Sequence, residues 1–275
     1  MSNLSDKLLF KVLKRPIRLK LVKDVGSGHP VILLHGIGRN NEVWDNVIKE
    51  FELSPGYRVI AFDLLGFGAS PKPDWINYSV DDHAAAVINS INKLHLNEPV
   101  TLVGHSMGSI VAARIAKLLP SQVKHLILFE MPIYSGLPEN RLARIRLAAF
   151  TRYYDWVINY QPRFDEENLG RAYTLGQKLI GFSVDKKSWT PFIKSLENTI
   201  LKHQVAEDIK DLPMTIDAIY GSFDTIVIRG HTEQVIGTAN DAVSHYSVRA
   251  RHVINKKASK LIVERVVAGY ENEKP

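Results

Sequence analysis

Gly104-His-Ser-Met-Gly108 lies between two segments of opposite habit, and that junction restricts the chain to few folds. Before it runs Val100-Thr-Leu-Val103, short and apolar, as in a strand buried on both faces. After it, residues 109–119 read as a helix with a small, apolar face. A strand that turns at once into a helix leaves Ser106 at the tip of a sharp turn, with Gly104 and Gly108 giving the backbones room to close. Strand–turn–helix is the building unit of a parallel sheet covered by helices.

The rest of the chain repeats this alternation. Residues 17–23 alternate apolar and basic side chains, as an exposed early strand would. Residues 31–34, 58–62, 100–103, 125–129 and 214–220 read as buried strands, and residues 243–248 as a weaker one. Residues 41–51, 80–94, 109–119 and 258–269 carry helical spacing. This order predicts an α/β fold: a mostly parallel central sheet with helices on both faces. The alternation breaks once. Residues 131–212 contain no good strand, and helical patterning covers 139–154, 166–179 and 188–202. Aromatic residues are dense there, among them Tyr134, Phe150, Tyr154, Phe164, Tyr173, Phe182, Trp189 and Phe192. We therefore expect a core of residues 1–130 and 213–275 interrupted by a helical cap insertion, 131–212. The bland reading of those aromatics is the cap's own core.

Composition narrows the chemistry. There is no cysteine, so neither a disulfide framework nor a thiolate zinc site is available. No run of eighteen apolar residues predicts a membrane span. The first twenty residues are broken up by Lys7, Lys11, Lys14 and Arg15, without the apolar stretch of an export signal, and a cytoplasmic location is expected. The formal charge is +6, but the basic residues are scattered, which fits a solvated surface better than nucleic-acid binding. Arg141, Arg144, Arg146 and Arg152 likewise read as a solvated helix face.

G-x-S-x-G between a strand and a helix is the nucleophile-elbow pattern. A serine hydroxyl needs a base, an orienting acid and an oxyanion hole. With the elbow stand Val31-Ile-Leu-Leu-His-Gly-Ile-Gly38, Phe62-Asp-Leu-Leu-Gly-Phe-Gly-Ala-Ser70, Tyr220-Gly-Ser-Phe-Asp-Thr-Ile-Val227 and His252 before the last helix. In this order the set resembles the α/β-hydrolase fold superfamily, over the whole chain except the helical insertion.

The resemblance implies the site. Ser106 would be the nucleophile and His252 the base. The backbone N–H groups of Ile37 and Met107 would form the oxyanion hole, and His35 would be a hydrogen-bonded histidine of the oxyanion loop. The acid has two candidates: Asp224, where the family usually places it, is preferred to Glu130, which follows the preceding strand and serves otherwise to line the pocket. The residue before His252 is Arg251, where the family usually has glycine. His105, His231 and His245 are expected to be structural. No metal or cofactor is required. Serine in place of aspartate at the elbow argues against haloalkane dehalogenase or epoxide hydrolase chemistry. The expected activity is hydrolysis of a small or medium carboxylic ester with an apolar acyl group. Cleavage of a carbon–carbon, lactone or amide bond on the same residues, or a ligand sensor without turnover, remain the alternatives.

Overall fold

The structure, a computed structural model, describes Leu8 and residues 17–160 and 185–271. Its strands are β1 (Lys20–Gly26), β2 (His29–Leu34), β3 (Tyr57–Asp63), β4 (Val100–His105), β5 (Val123–Phe129), β6 (Thr215–Gly221) and β7 (Ser244–Val248). They form one seven-stranded sheet in the order β1-β3-β2-β4-β5-β6-β7. Only β1 runs antiparallel, against β3; every other neighbouring pair is parallel. This is the mostly parallel α/β sheet that the sequence pattern predicts.

A 3-10 turn, Asn41–Trp44, leads into α1 (Asp45–Phe51), followed along the chain by α2 (Val80–Ile91) and α3 (Met107–Leu118). Ser79 and Asp82 close a reciprocal capping box that starts α2. Beyond β5 come α4 (Arg141–Tyr160), α5 (Trp189–Ser195), a π-helical turn over Leu196–Leu201 and α6 (Val205–Ile209), all before β6. The chain finishes with α7 (Arg229–Ala239) and α8 (Lys256–Glu271).

Alternation along the central strands builds two apolar layers. Ile32 and Leu34 of β2 join Leu102, Leu126 and the faces of α2 and α3 on one side. Val31 and Leu33 join Val103, Ile127, Ile219 and the faces of α1 and α8 on the other. All six residues of β2 are buried, which is why its sequence is a run rather than an alternation. Each aliphatic side chain taken fully out of water contributes about 1.5–3 kcal/mol.

Several elements differ from the expected pattern, the short α6 among them. β1 begins three residues late, because its partner β3 ends at Asp63 opposite Lys20, and the N–H groups of Leu19 and Lys20 go to the hydroxyls of Ser90 and Ser70. The helix expected over 188–202 divides into α5 and the π-helical turn. α7 has no counterpart in the expected pattern: it contains Gly230, Gly237 and two threonines, poor helix formers, and buries only His231, Thr232 and Ile236. The helix expected over 166–179, with Phe164, Tyr173 and Phe182, lies outside the described residues.

Candidate active site

The site is built where β2, β4, β5, β6 and β7 end. Ser106 follows β4 directly and has φ 54° and ψ −121°, a conformation that an L-residue holds only where its surroundings impose it. Its N–H donates to Phe129 O at 2.9 Å, and its carbonyl accepts from Ser109 N at 2.9 Å. The side chain of Ser109 donates to Gly104 O at 2.8 Å and braces the same turn. A Cβ on Gly108 would overlap the carbonyl of Leu34, and one on Gly104 would overlap the backbone of Ser109, so α3 passes β2 and β4 with no space for a side chain. Gly108→Val is therefore expected to lower the unfolding free energy by about 1–3 kcal/mol in urea titration.

Three polar side chains meet at this turn. His252 Nε2 lies 2.9 Å from Ser106 Oγ, and His252 Nδ1 lies 2.6 Å from Asp224 Oδ2. A carboxylate only accepts, so Nδ1 carries the proton, and Nε2 is left to accept from the serine hydroxyl. Asp224 is fixed independently: its Oδ1 accepts from Ile226 N at 2.6 Å and Val227 N at 3.2 Å. Burial alone would push its carboxyl up. The His252 ring, Glu130 and the Ile226 N–H outweigh that and bring it down to about 2. The structure thus places Ser106, His252 and Asp224 in one hydrogen-bonded chain, with Ser106 and His252 buried.

Met107 opens α3, whose N-terminal dipole faces the serine turn. Ile37 lies on the loop after β2. His35 donates from Nδ1 to Gly36 O at 2.8 Å and accepts at Nε2 from Leu64 N at 2.8 Å, tying that loop to the one after β3. Burial holds its pKa down, at about 4, so the ring is neutral and keeps this donor–acceptor pattern. Asp63 reinforces the same junction by accepting from Asn41 N and Ala69 N, each at 2.8 Å.

The remaining candidates lie elsewhere. His105 packs against Phe129 and His252 with tilted rings, and burial pushes its own ring well below the ordinary histidine range. His231 contacts Ser135 O at 2.8 Å, and His245 contacts the Tyr220 hydroxyl on the outer strand. Glu130 is fully buried and does not line the cavity over the serine; its turn carries it behind Asp224. Glu130, Asp224 and His252 are also the group among the described residues with metal-ligand spacing, but the His252 and Asp224 atoms facing each other are spent on a hydrogen bond. Arg144 and Arg146 are spent on the backbone carbonyls of Pro138 and Thr225.

A narrow cavity opens over Ser106 and His252. Its apolar wall comes from Tyr134, Tyr154, Phe192, Leu196, Ile200 and Ile226. Five of these belong to the segment between β5 and β6, including Leu196 and Ile200 of the π-helical turn. Sequence pattern does not assign this wall residue by residue. The density of aromatics in 131–212 is its only signal, and that signal does not separate cavity lining from internal packing.

Comparisons with known proteins agree with this architecture. A family model described as alpha/beta hydrolase fold matches residues 29–173. The 2-hydroxy-6-oxo-2,4-heptadienoate hydrolase of Pseudomonas putida is 36% identical over 129 residues, 46% of this chain and 46% of that protein. Lipase 3 of a Moraxella species is 27% identical over 224 residues, 78% of this chain and 65% of that protein. The match thus spans less than two thirds of the length of either curated relative. Among solved structures, the meta-cleavage product hydrolase of Pseudomonas fluorescens superposes with a TM-score of 0.64 at 23% identity, covering 92% of this chain and 94% of that one.

Proposed function

This chain belongs to the alpha/beta hydrolase fold family, and from that footing we propose that it is a serine hydrolase acting on a small or medium carboxylic ester. The observation that carries the reading is the unbroken relay Asp224–His252–Ser106 beneath a cavity with an apolar wall. His252 takes the proton of the Ser106 hydroxyl as the oxygen attacks the ester carbonyl carbon. The N–H groups of Ile37 and Met107 hold the oxyanion of the tetrahedral intermediate. His252 then gives its proton to the departing alkoxide, and the alcohol leaves an acyl-enzyme. Water, deprotonated by the same imidazole, releases the acid and restores Ser106. The relay needs no metal or cofactor. The described residues of the segment between β5 and β6 act as a cap that supplies the acyl-binding wall.

The test is hydrolysis of a p-nitrophenyl ester series, acetyl through decanoyl. Turnover that peaks at a short or medium chain supports the reading. No turnover of any member, with the serine also inert to a fluorophosphonate, would overturn it. The likeness to a 2-hydroxy-6-oxo-2,4-heptadienoate hydrolase favours that dienoate as the second substrate to assay.

The cavity wall makes its own prediction. Phe192 is buried on α5 and faces the cavity beside Leu196. Phe192→Ala is expected to raise kcat/KM for octanoyl relative to acetyl ester by about tenfold or more, since admitting even one further methylene is worth roughly 1–3 kcal/mol. An unchanged profile would place the acyl group elsewhere.

A further inference from the structure

Glu130 is a buried carboxyl that the proposed reaction does not use. It directly follows β5, has a left-handed backbone with φ 52°, and donates its N–H to Ile219 O at 3.0 Å. This turn carries the side chain over the end of β6. There its Oε1 accepts from the N–H of Gly221, at a spot that a Cβ on residue 221 would fill. Its Oε2 is buried, and no described residue donates to it. The carboxylate of Asp224 lies beside it, and Glu130, Asp224 and His252 each offer an atom within 4.8 Å of the others.

Two carboxylates this close in a dry site cannot both carry charge. The hydrogen bonds decide which one takes the proton. Asp224 accepts from His252 Nδ1, Ile226 N and Val227 N, whereas among the described residues Glu130 accepts only from Gly221 N. Asp224 therefore keeps the charge. We propose that Glu130 is a neutral carboxylic acid whose Oε2–H donates to Asp224, making it a positioning residue that holds the Asp224 carboxylate against His252. Burial first, then the hydrogen bond and charge of Asp224, push Glu130 up to about 11, against the opposing pull of Gly221 N–H and Arg229. The catalytic consequence rests on the hydrolase reading above; the shared proton does not.

The two parts are tested separately. Unfolding exposes Glu130 to water, where its carboxyl ionises above about pH 4.3. Wild type therefore releases a proton on unfolding across neutral pH, and its stability falls as pH rises; a glutamine has no such proton. The melting temperature of Glu130→Gln minus that of wild type is expected to climb steadily from about pH 5 to about pH 9. The other groups around Glu130, namely Asp224, His252, Arg229 and Tyr220, are present in both proteins. A difference that stays flat means Glu130 is ionised in the fold, and the proposal falls whether or not the chain hydrolyses esters.

The positioning role is read from kinetics. A glutamine side chain at this position keeps a donor toward Asp224 and an acceptor for Gly221 N–H, so Glu130→Gln is expected to retain the wild-type kcat. Glu130→Leu keeps neither, and its kcat is expected to fall about 10- to 100-fold with KM unchanged, the range for a lost hydrogen bond to a charged group. Equal kcat in the glutamine and leucine variants, whether lowered or unchanged, would overturn the positioning role. If the leucine variant does not fold, Glu130→Ala, which also keeps neither group, takes its place in the kinetics, and the melting series still judges the shared proton. Absence of ester turnover in wild type would count against the hydrolase reading and leave the melting series to judge the shared proton.

Discussion

Ser106→Ala is expected to lower kcat for p-nitrophenyl ester hydrolysis by about 10⁴- to 10⁶-fold, to a residue set by binding and the oxyanion donors. The size follows from geometry. The Ser106 Oγ is 2.9 Å from the unprotonated nitrogen of His252, so removing it removes both the attacking atom and the proton acceptor's partner. The loss should come without a change in melting temperature. The turn is held by backbone bonds from Ser106 N to Phe129 O and from Ser109 N to Ser106 O, and alanine retains both. Alanine bears the same backbone strain at φ 54°. Hydrolysis within tenfold of wild type would mean that another group attacks the ester, and the mechanism proposed for this chain would have to be abandoned.

Asp224→Asn is expected to cost about 10³- to 10⁴-fold in kcat, with little change in KM. The loss comes from the tautomer rather than the fold. Ile226 N and Val227 N both donate to Oδ1 of residue 224, so an asparagine must keep its carbonyl oxygen there. Its NH₂ group then faces His252 Nδ1, which sits 2.6 Å from Oδ2 in the native site. Two donors cannot face each other, so the imidazole moves its proton to Nε2. The nitrogen nearest Ser106 then has no lone pair with which to accept the hydroxyl proton. A modest loss, under about tenfold, would show that the acid merely packs against the ring, since the orienting acid of such a relay is worth far more.

Much of the fold is legible because its signals are local. A parallel strand buried on both faces must be a short apolar run, and Val31-Ile-Leu-Leu34 and Val100-Thr-Leu-Val103 are such runs. The elbow is local too, since its glycines and serine act on neighbouring backbone. α7 escapes for the complementary reason. Its residues have little intrinsic preference for helix, and it forms because Ile236 and Thr232 find buried positions that only the finished core provides. The offset of β1 is likewise decided by its partner, β3.

The candidate site divides in the same way. The sequence by itself determined that Ser106 would stand on a strained turn between β4 and α3, because glycine at 104 and 108 is a requirement of chain geometry that can be read without knowing the rest of the molecule. The family resemblance, carried by the same stretches of sequence, implied Asp224, or less favoured Glu130, as the acid. Only the tertiary structure decided which carboxylate reaches the imidazole and which stands behind it, because that depends on β5, β6 and β7 lying side by side, with β5 stopping opposite Ile219 and β6 running on to Gly221, level with the end of β7. It alone brought His252, one of ten histidines, across 146 positions of chain to the Ser106 hydroxyl. And it alone set Glu130 in a buried place beside Asp224, on which the inference of a neutral acid rests, because burial and neighbouring charges are not written in a residue's own stretch of chain.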